Sequence, residues 1–243
     1  MGGQQQLTFD PVLSLDNTSN GFRVLTNHDS QFLTDTSQPT WCPCVPVILD
    51  HITVHCSSKK TLHDGILITG SSYVMSQTDP RNKLLHLLDD PDPNHDSSIV
   101  YAIYHSLQIL PPTTLISFHV DSMHALKILL KQWWHWDNTA YLNTPNAPLT
   151  HACVFHLCNR TATIMFQCAT LNSDLQLARD LATAGTQKLW IQHLPHYPII
   201  ASTHLRGIKL AILTQKLTYW ALRHLKLEEA PMRTTRIQTV ALV

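Results

Sequence analysis

The sequence predicts an α/β fold, a mixed sheet with helices packed on its faces. Three strand candidates follow one another, then a helix, a strand, one or two helices, a further strand and a last helix. Short β-branched runs are set off from longer stretches of helical period, and that order implies a mixed sheet with covered faces. A hydrophobic fraction of 44% supports a substantial core in 243 residues, enough for one sizeable domain with appendages or two small ones.

Residues 1–45 are rich in Ser, Thr, Asn, Asp and Gln without sustained period, and are expected to form a loosely ordered arm with a short strand or two. Trp41–Pro46 reads as an extended lead-in. The first strand run is Pro46–Cys56, carrying Val47, Ile48, Leu49, Ile52 and Val54 and ending in Ser57-Ser58. Gly65–Met75 and Lys83–Leu88 follow as strands. Ile99, Ala102, Ile103 and Leu107 form a helical stripe within Asp96–Leu110, which Pro111-Pro112 stops. Thr114–Val120 is a strand, and Asp121 is expected to cap a helix over Met123–Trp134. Thr150–Cys158 reads as helix or strand, Thr161–Ala169 as a strand, and Asp174–Gln187 as a helix with Gly185 near its end. Beyond residue 190 a linker leads to an apolar face of Leu205, Ile208, Ile212, Leu213, Leu217, Trp220 and Ala221, an amphipathic helix able to cover the sheet or dock a protein partner.

Composition excludes some chemistries. Lys plus Arg equals Asp plus Glu at 17 each, so no global basic excess points to nucleic acid, although a local stripe is what phosphate contact requires. The only glutamates are Glu228 and Glu229, so a mechanism needing glutamate in the body of the chain is ruled out. The 16 histidines and 6 cysteines lack the paired spacing of a zinc knuckle, and free thiols in a reducing, intracellular compartment, cytoplasmic or nuclear, are expected. No apolar run reaches the roughly 18–20 residues of a membrane span, so no membrane partner is expected.

Several segments, in order, resemble the ribonuclease H domain of retroelement polyproteins, the non-LTR retrotransposon type of fungi in particular. Ile116-Ser117-Phe118-His119-Val120-Asp121-Ser122 is similar to that family's strand ending in an Asp-Ser step that opens a helix. Val100–Leu107 resembles its first helix, and Asp79-Pro80-Arg81-Asn82-Lys83 its preceding hairpin. Phe166-Gln167 with Leu181–Lys188 resembles its last strand and closing helix, and 207–235 the segment that follows in such polyproteins. The likeness covers roughly 46–240. It implies a ribonuclease H-like mixed five-stranded sheet over 46–190, with 191–243 as linker and added C-terminal helix.

The resemblance also implies a chemistry. The family hydrolyses the RNA strand of RNA–DNA hybrids with two divalent ions, Mg²⁺ or Mn²⁺, held by four carboxylates: an aspartate on the first strand, a glutamate on the first helix, an aspartate after the fourth strand and an aspartate on the last helix. Asp121 matches the third, as catalytic and metal-binding residue. The other three positions fall on Ser57, Ile99 and Arg179, where no carboxylate stands. Asp64, Asp96, Asp174 and Asp180 are the neighbours able to substitute. The family's His-containing loop before the last helix is replaced by Cys168–Ser173. The expectation is therefore a catalytically inactive relative that retains weak binding to nucleic acid, with a divalent cofactor only if activity survives. Two alternatives stand beside it: an active hybrid nuclease with a rearranged carboxylate site, and a protein-interaction scaffold using the C-terminal helix and the tryptophans Trp133, Trp134 and Trp136. Aromatics so clustered also suit base stacking, and Lys59, Lys60, Arg81 and Lys83 suit a phosphate-facing patch.

Overall fold

The computed structural model describes residues 6–9, 23–24, 50–63, 66–87, 95–142, 146–169, 172–187, 208–209 and 212–229. Its strands are β1 (Gln6–Thr8), β2 (Arg23–Val24), β3 (His51–His63), β4 (Ile66–Val74), β5 (Lys83–Leu87), β6 (Leu115–Val120), β7 (Ile164–Cys168) and β8 (Ile208–Lys209). Its helices are α1 (His95–Ile109), α2 (Met123–Lys127), α3 (Trp133–Asn138), α4 (Ala147–Cys158), α5 (Ser173–Gln187) and α6 (Gln215–Glu229), with a π-helical segment at Ile128–Gln132 between α2 and α3.

Among the described residues six strands form one sheet in the order β1-β7-β6-β3-β4-β5. β3, β4 and β5 are antiparallel neighbours, while β6 runs parallel to both β3 and β7. The sheet is mixed, as the element order requires, but it has one strand more than expected. The addition is β1, which pairs antiparallel with β7 through Gln6↔Gln167 and Thr8↔Met165. Three residues from the N-terminal region cap the β7 edge there. Such a short strand carries too little alternation to announce its partner. The remainder of 1–45 lies outside the described residues apart from Phe9 and β2, which pairs with β8.

The two faces of the sheet differ in chemistry because side chains alternate. Val54, Cys56, Ile116, Phe118, Val120, Ile164 and Phe166 are buried in the main apolar cluster, with Ile99 and Ile103 of α1 and Leu149 and Cys153 of α4. Phe118 and Phe166 stack across neighbouring strands at 5.1 Å between ring centroids. The opposite face carries His55, Ser57, Ser72 and His119, and α5 lies over its β3–β4 side. Gly70 and Ser72 set that contact: Ser72 donates to the Ala178 carbonyl, and a Cβ at Gly70 would stand 2.2 Å from the Ala182 carbonyl oxygen. Asn172 starts α5 by accepting from the Leu175 amide at 2.7 Å.

Where one helix is predicted over Met123–Trp134, α2, the π-helical segment and α3 succeed one another. The segment left open between helix and strand is α4, begun with Pro148 in its first turn, where a missing N–H costs nothing. α6 packs through Leu217 and Ala221, together with Ile208, Ile212 and Leu213, onto Ala140 and Leu142 beyond α3. Among the described residues no helix is long and apolar enough to cross a membrane.

Candidate functional site

Sheet order decides which distant residues meet. β3 and β6 are parallel neighbours with Cys56 opposite Val120, so Asp121, just past the end of β6, comes to lie beside Ser57 in the middle of β3. Ser57 Oγ donates to Asp121 Oδ2 at 2.8 Å. α5, held on this face by Gly70 and Ser72, brings Arg179 to the same atom, with Nε donating to Oδ2 at 3.3 Å. The Asp121 side chain is only 7% exposed, against 41% for Arg179. A buried carboxylate is costly unless paired and hydrogen-bonded, and here one oxygen receives both donors.

The other oxygen is different. Asp121 Oδ1 is buried without a hydrogen-bond partner among the described residues, and the nearest charge-bearing neighbour is His95 Nε2 at 3.9 Å. His95 opens α1 and is held by Ser58, whose Oγ contacts Nδ1 and donates to the His95 carbonyl at 2.9 Å. Ile99 lies one helical turn beyond His95 on the same side of α1, fully buried in the apolar cluster.

Thus Ser57, Asp121 and Arg179 come together, and Ile99 occupies the adjoining turn of α1. Of the four candidate substitutes, the three that are described do not gather around Asp121 in the same way. Asp96 is engaged elsewhere, accepting from Ser122 Oγ at 2.7 Å and paired with His124 Nδ1 at 2.7 Å. Asp174 faces His55 Nε2 at 3.8 Å, and exposed Asp180 accepts from Gln176 at 2.9 Å. Asp64 lies outside the described residues. The expected capping role of Asp121 is corrected as well: Ser122 is the N-cap of α2, its Oγ accepting from the Ala125 amide at 3.2 Å. The carboxylate one residue earlier points instead to Ser57 and Arg179. Both residue types cap well, so sequence alone could not choose between neighbours.

His95 and Ser58 were not singled out from sequence. With 16 histidines and no distinctive spacing, nothing marks His95 before the fold sets it beside Ser58 of β3. Of the basic residues, Arg81 is taken up by Asp79, with Nη2 to Oδ2 at 2.7 Å and Nε to Oδ1 at 3.0 Å, and Lys83 Nζ lies 3.2 Å from His105 Nε2. Lys59 and Lys60 remain exposed on β3.

The donor set does not fit two divalent ions. Mg²⁺ prefers about six oxygens in octahedral array, and two ions near each other require several carboxylates to offset their charge. Among the described residues this site supplies one carboxylate, two serine hydroxyls, an imidazole and a guanidinium whose fixed positive charge opposes a metal at Oδ2. Among the described residues no three His, Cys, Asp or Glu side chains form a group able to hold a metal ion. Thiolate chemistry is equally disfavoured: burial, with the Asp121 charge second, pushes the Cys56 thiol far above its ordinary range. Cys56, Cys153 and Cys168 are free cysteines.

Compared with known proteins, the chain matches no protein-family model and no curated sequence significantly.

On the sheet face beneath α5, His55 and His119 sit opposite one another with rings at 4.9 Å and 87°. Burial lowers the basicity of both; the neighbouring imidazoles, His119 for His55 and His51 for His119, lower it further, and Asp174 opposes the shift at His55.

Proposed function

We propose that this chain is a diverged ribonuclease H-like, nucleic-acid-binding domain of retroelement type in which a guanidinium stands where the family holds divalent ions, and that it does not cleave. The observation that carries the reading is the convergence of Ser57, Asp121 and Arg179, three positions 64 and 58 residues apart in sequence that the resemblance alone had marked as one site. Metal ligands distributed over a first strand, a fourth strand and a last helix have to meet, and the parallel pairing of β3 with β6 under α5 supports that arrangement.

The chemistry follows from the charge inventory. A two-metal site lowers the barrier by generating a nucleophile and stabilising the leaving oxygen. Arg179 can do neither, since a guanidinium stays protonated and coordinates no water as a Lewis acid. It can hold a phosphate. Asp121 takes its Nε and fixes the plane, leaving the two terminal nitrogens of a side chain 41% exposed. Asp121 is in this reading a positioning residue, and Ser57 fixes it in turn.

The reading is tested by the fluorescence anisotropy of a labelled RNA–DNA hybrid over a range of salt. Arg179→Gln should weaken binding about equally across hybrid sequences and reduce the salt slope by about one. A folded wild-type chain that binds no hybrid, or equal slopes for the two proteins, would count against it. A rearranged nuclease site finds no such support, because Asp96 is committed to Ser122 and His124. The scaffold reading takes second place, carried by the exposure of Tyr219 (61%) and Leu222 (44%) on α6.

A further inference from the structure

One cavity beside the Asp121 site is not used by that reading. It has a volume of about 210 Å³ and opens between α1, α2, α3 and α4. Val100, Ile128 and Trp136 supply apolar walls, while Asp96, Gln132 and Thr150 bring a carboxylate, an amide and a hydroxyl. Asp96 joins the two places, because its Oδ1 is bonded by Ser122, the residue next to Asp121.

The backbone around this cavity departs from regular helix. Ile128 and Gln132 are the first and last residues of the π-helical segment, and both line the space. A π turn is less stable than the α-helix it interrupts and is found mostly at functional sites. Just past Trp136 the chain turns through two successive left-handed residues, Ala140 (φ 53°) and Tyr141 (φ 56°), with the Tyr141 amide donating to the Trp136 carbonyl at 2.7 Å. Non-glycine residues adopt this region only where the surroundings enforce the geometry. On the far side, left-handed Asn146 bonds the hydroxyl of Ser97, another residue of the lining.

Trp136 is distinct from its neighbour in sequence. Trp133 is 3% exposed and packs against Phe9 at 5.3 Å, which makes it part of the core. Trp136 is half-buried with the cavity beside it. We infer that this cavity is a nucleobase subsite, in which one unstacked base lies against Trp136 while Gln132 offers a donor–acceptor amide to its polar edge. The volume is below the roughly 300 Å³ at which sites for drug-sized ligands begin, which limits the occupant to about the size of one base. Planarity fits the indole, and the mixed lining fits a ring with a polar edge and apolar faces. This inference rests on the nucleic-acid reading: a strand crossing Arg179 would pass within reach of Asp96.

The test uses the full chain and the four ribonucleoside 5′-monophosphates, with ribose 5-phosphate as the base-free control, followed by titration calorimetry. Saturable binding of at least one mononucleotide, with none of ribose 5-phosphate, is expected. Trp136→Ala should weaken it about 5- to 150-fold, the range for loss of one stacking partner, and Trp136→Phe should recover much of that loss. Ile128→Phe, which fills the cavity and leaves the indole in place, should abolish binding if Trp136→Ala proves poorly folded. Equal binding of ribose 5-phosphate, displacement by tetramethylammonium, or no binding to folded wild type would overturn the subsite. Hybrid anisotropy on the same proteins separates the two ideas. Mononucleotides bound without hybrid would leave the subsite and remove the functional reading. Hybrid binding untouched by Trp136→Ala, with no mononucleotide bound, would do the reverse.

Discussion

Gly70→Ala is expected to destabilise the protein by about 3 kcal/mol or more and to weaken hybrid binding in whatever folded protein remains. The added methyl would lie 2.2 Å from the Ala182 carbonyl oxygen and 3.1 Å from the Thr186 amide, both backbone atoms of α5 that cannot swing aside. Overpacking of this kind usually costs about 1–3 kcal/mol, and a clash with main chain belongs at or above the upper end. Relief requires α5 to lift from β4, and α5 carries Arg179. The substitution therefore tests packing and site together. Denaturant melts should show a lowered midpoint, and anisotropy should show the weakened salt slope of Arg179→Gln. A variant as stable as wild type would mean that α5 does not sit against β4 at this position.

The second large effect is expected at Arg160, a residue only 7% exposed. It donates to the carbonyls of Leu110, Pro111 and Thr114, with distances of 3.2 Å to the first and 2.9 Å to the last. Burial pushes its pKa down to about 10, so it is still charged at neutral pH. These three carbonyls belong to the connection from α1 to β6, whose far end delivers Asp121. Arg160→Met keeps much of the side chain's bulk and removes every donor. Hydrogen bonds to charged groups contribute about 1.5–3 kcal/mol each, and buried acceptors left unpaired add their desolvation cost. A loss of about 3–5 kcal/mol is expected, on the order of 10 °C in Tm for a domain of this size. Arg160→Lys should recover only part, because one ammonium cannot reproduce the planar fork. A change of Tm within 2–3 °C for Arg160→Met would show that the loop holds without it.

Neither residue is conspicuous in the sequence, and the reason is the same for both. Gly70 stands in a run that reads as strand, and Arg160 follows a helix as any solvated base does; their roles depend on what lies across the fold. Local signals were readable where punctuation is strong. Pro111-Pro112 ends α1, the β-branched Thr114–Val120 run becomes β6 (Leu115–Val120), and the Asp174–Gln187 stretch becomes α5 (Ser173–Gln187). The non-local features were not readable. β1 finds β7 across more than 150 intervening positions, and the π-helical segment preserves the apolar spacing that predicted an unbroken helix.

The candidate site divides along the same line. Ser57, Asp121 and Arg179 were marked by residue-by-residue resemblance, because a strand end and a helix turn can be aligned by sequence. The Ser57–Asp121–Arg179 hydrogen bonds could not be foreseen, since they depend on strand order. His95 and Ser58 carry no signal of their own and join the site only because α1 begins beside the middle of β3. Asp96, a candidate carboxylate substitute, is drawn off by Ser122 and His124 into the wall of the neighbouring cavity.

The most direct measurement is cleavage of a labelled RNA–DNA hybrid in Mn²⁺ by the wild-type chain and by Asp121→Asn, each first shown to be folded. With one carboxylate paired to a guanidinium at the described site, the proposed function predicts no cleavage above background by either protein, while the wild type still binds the hybrid. Cleavage by the wild type that Asp121→Asn abolishes would contradict this directly, and would mean that carboxylates beyond Asp121 assemble around metal in solution.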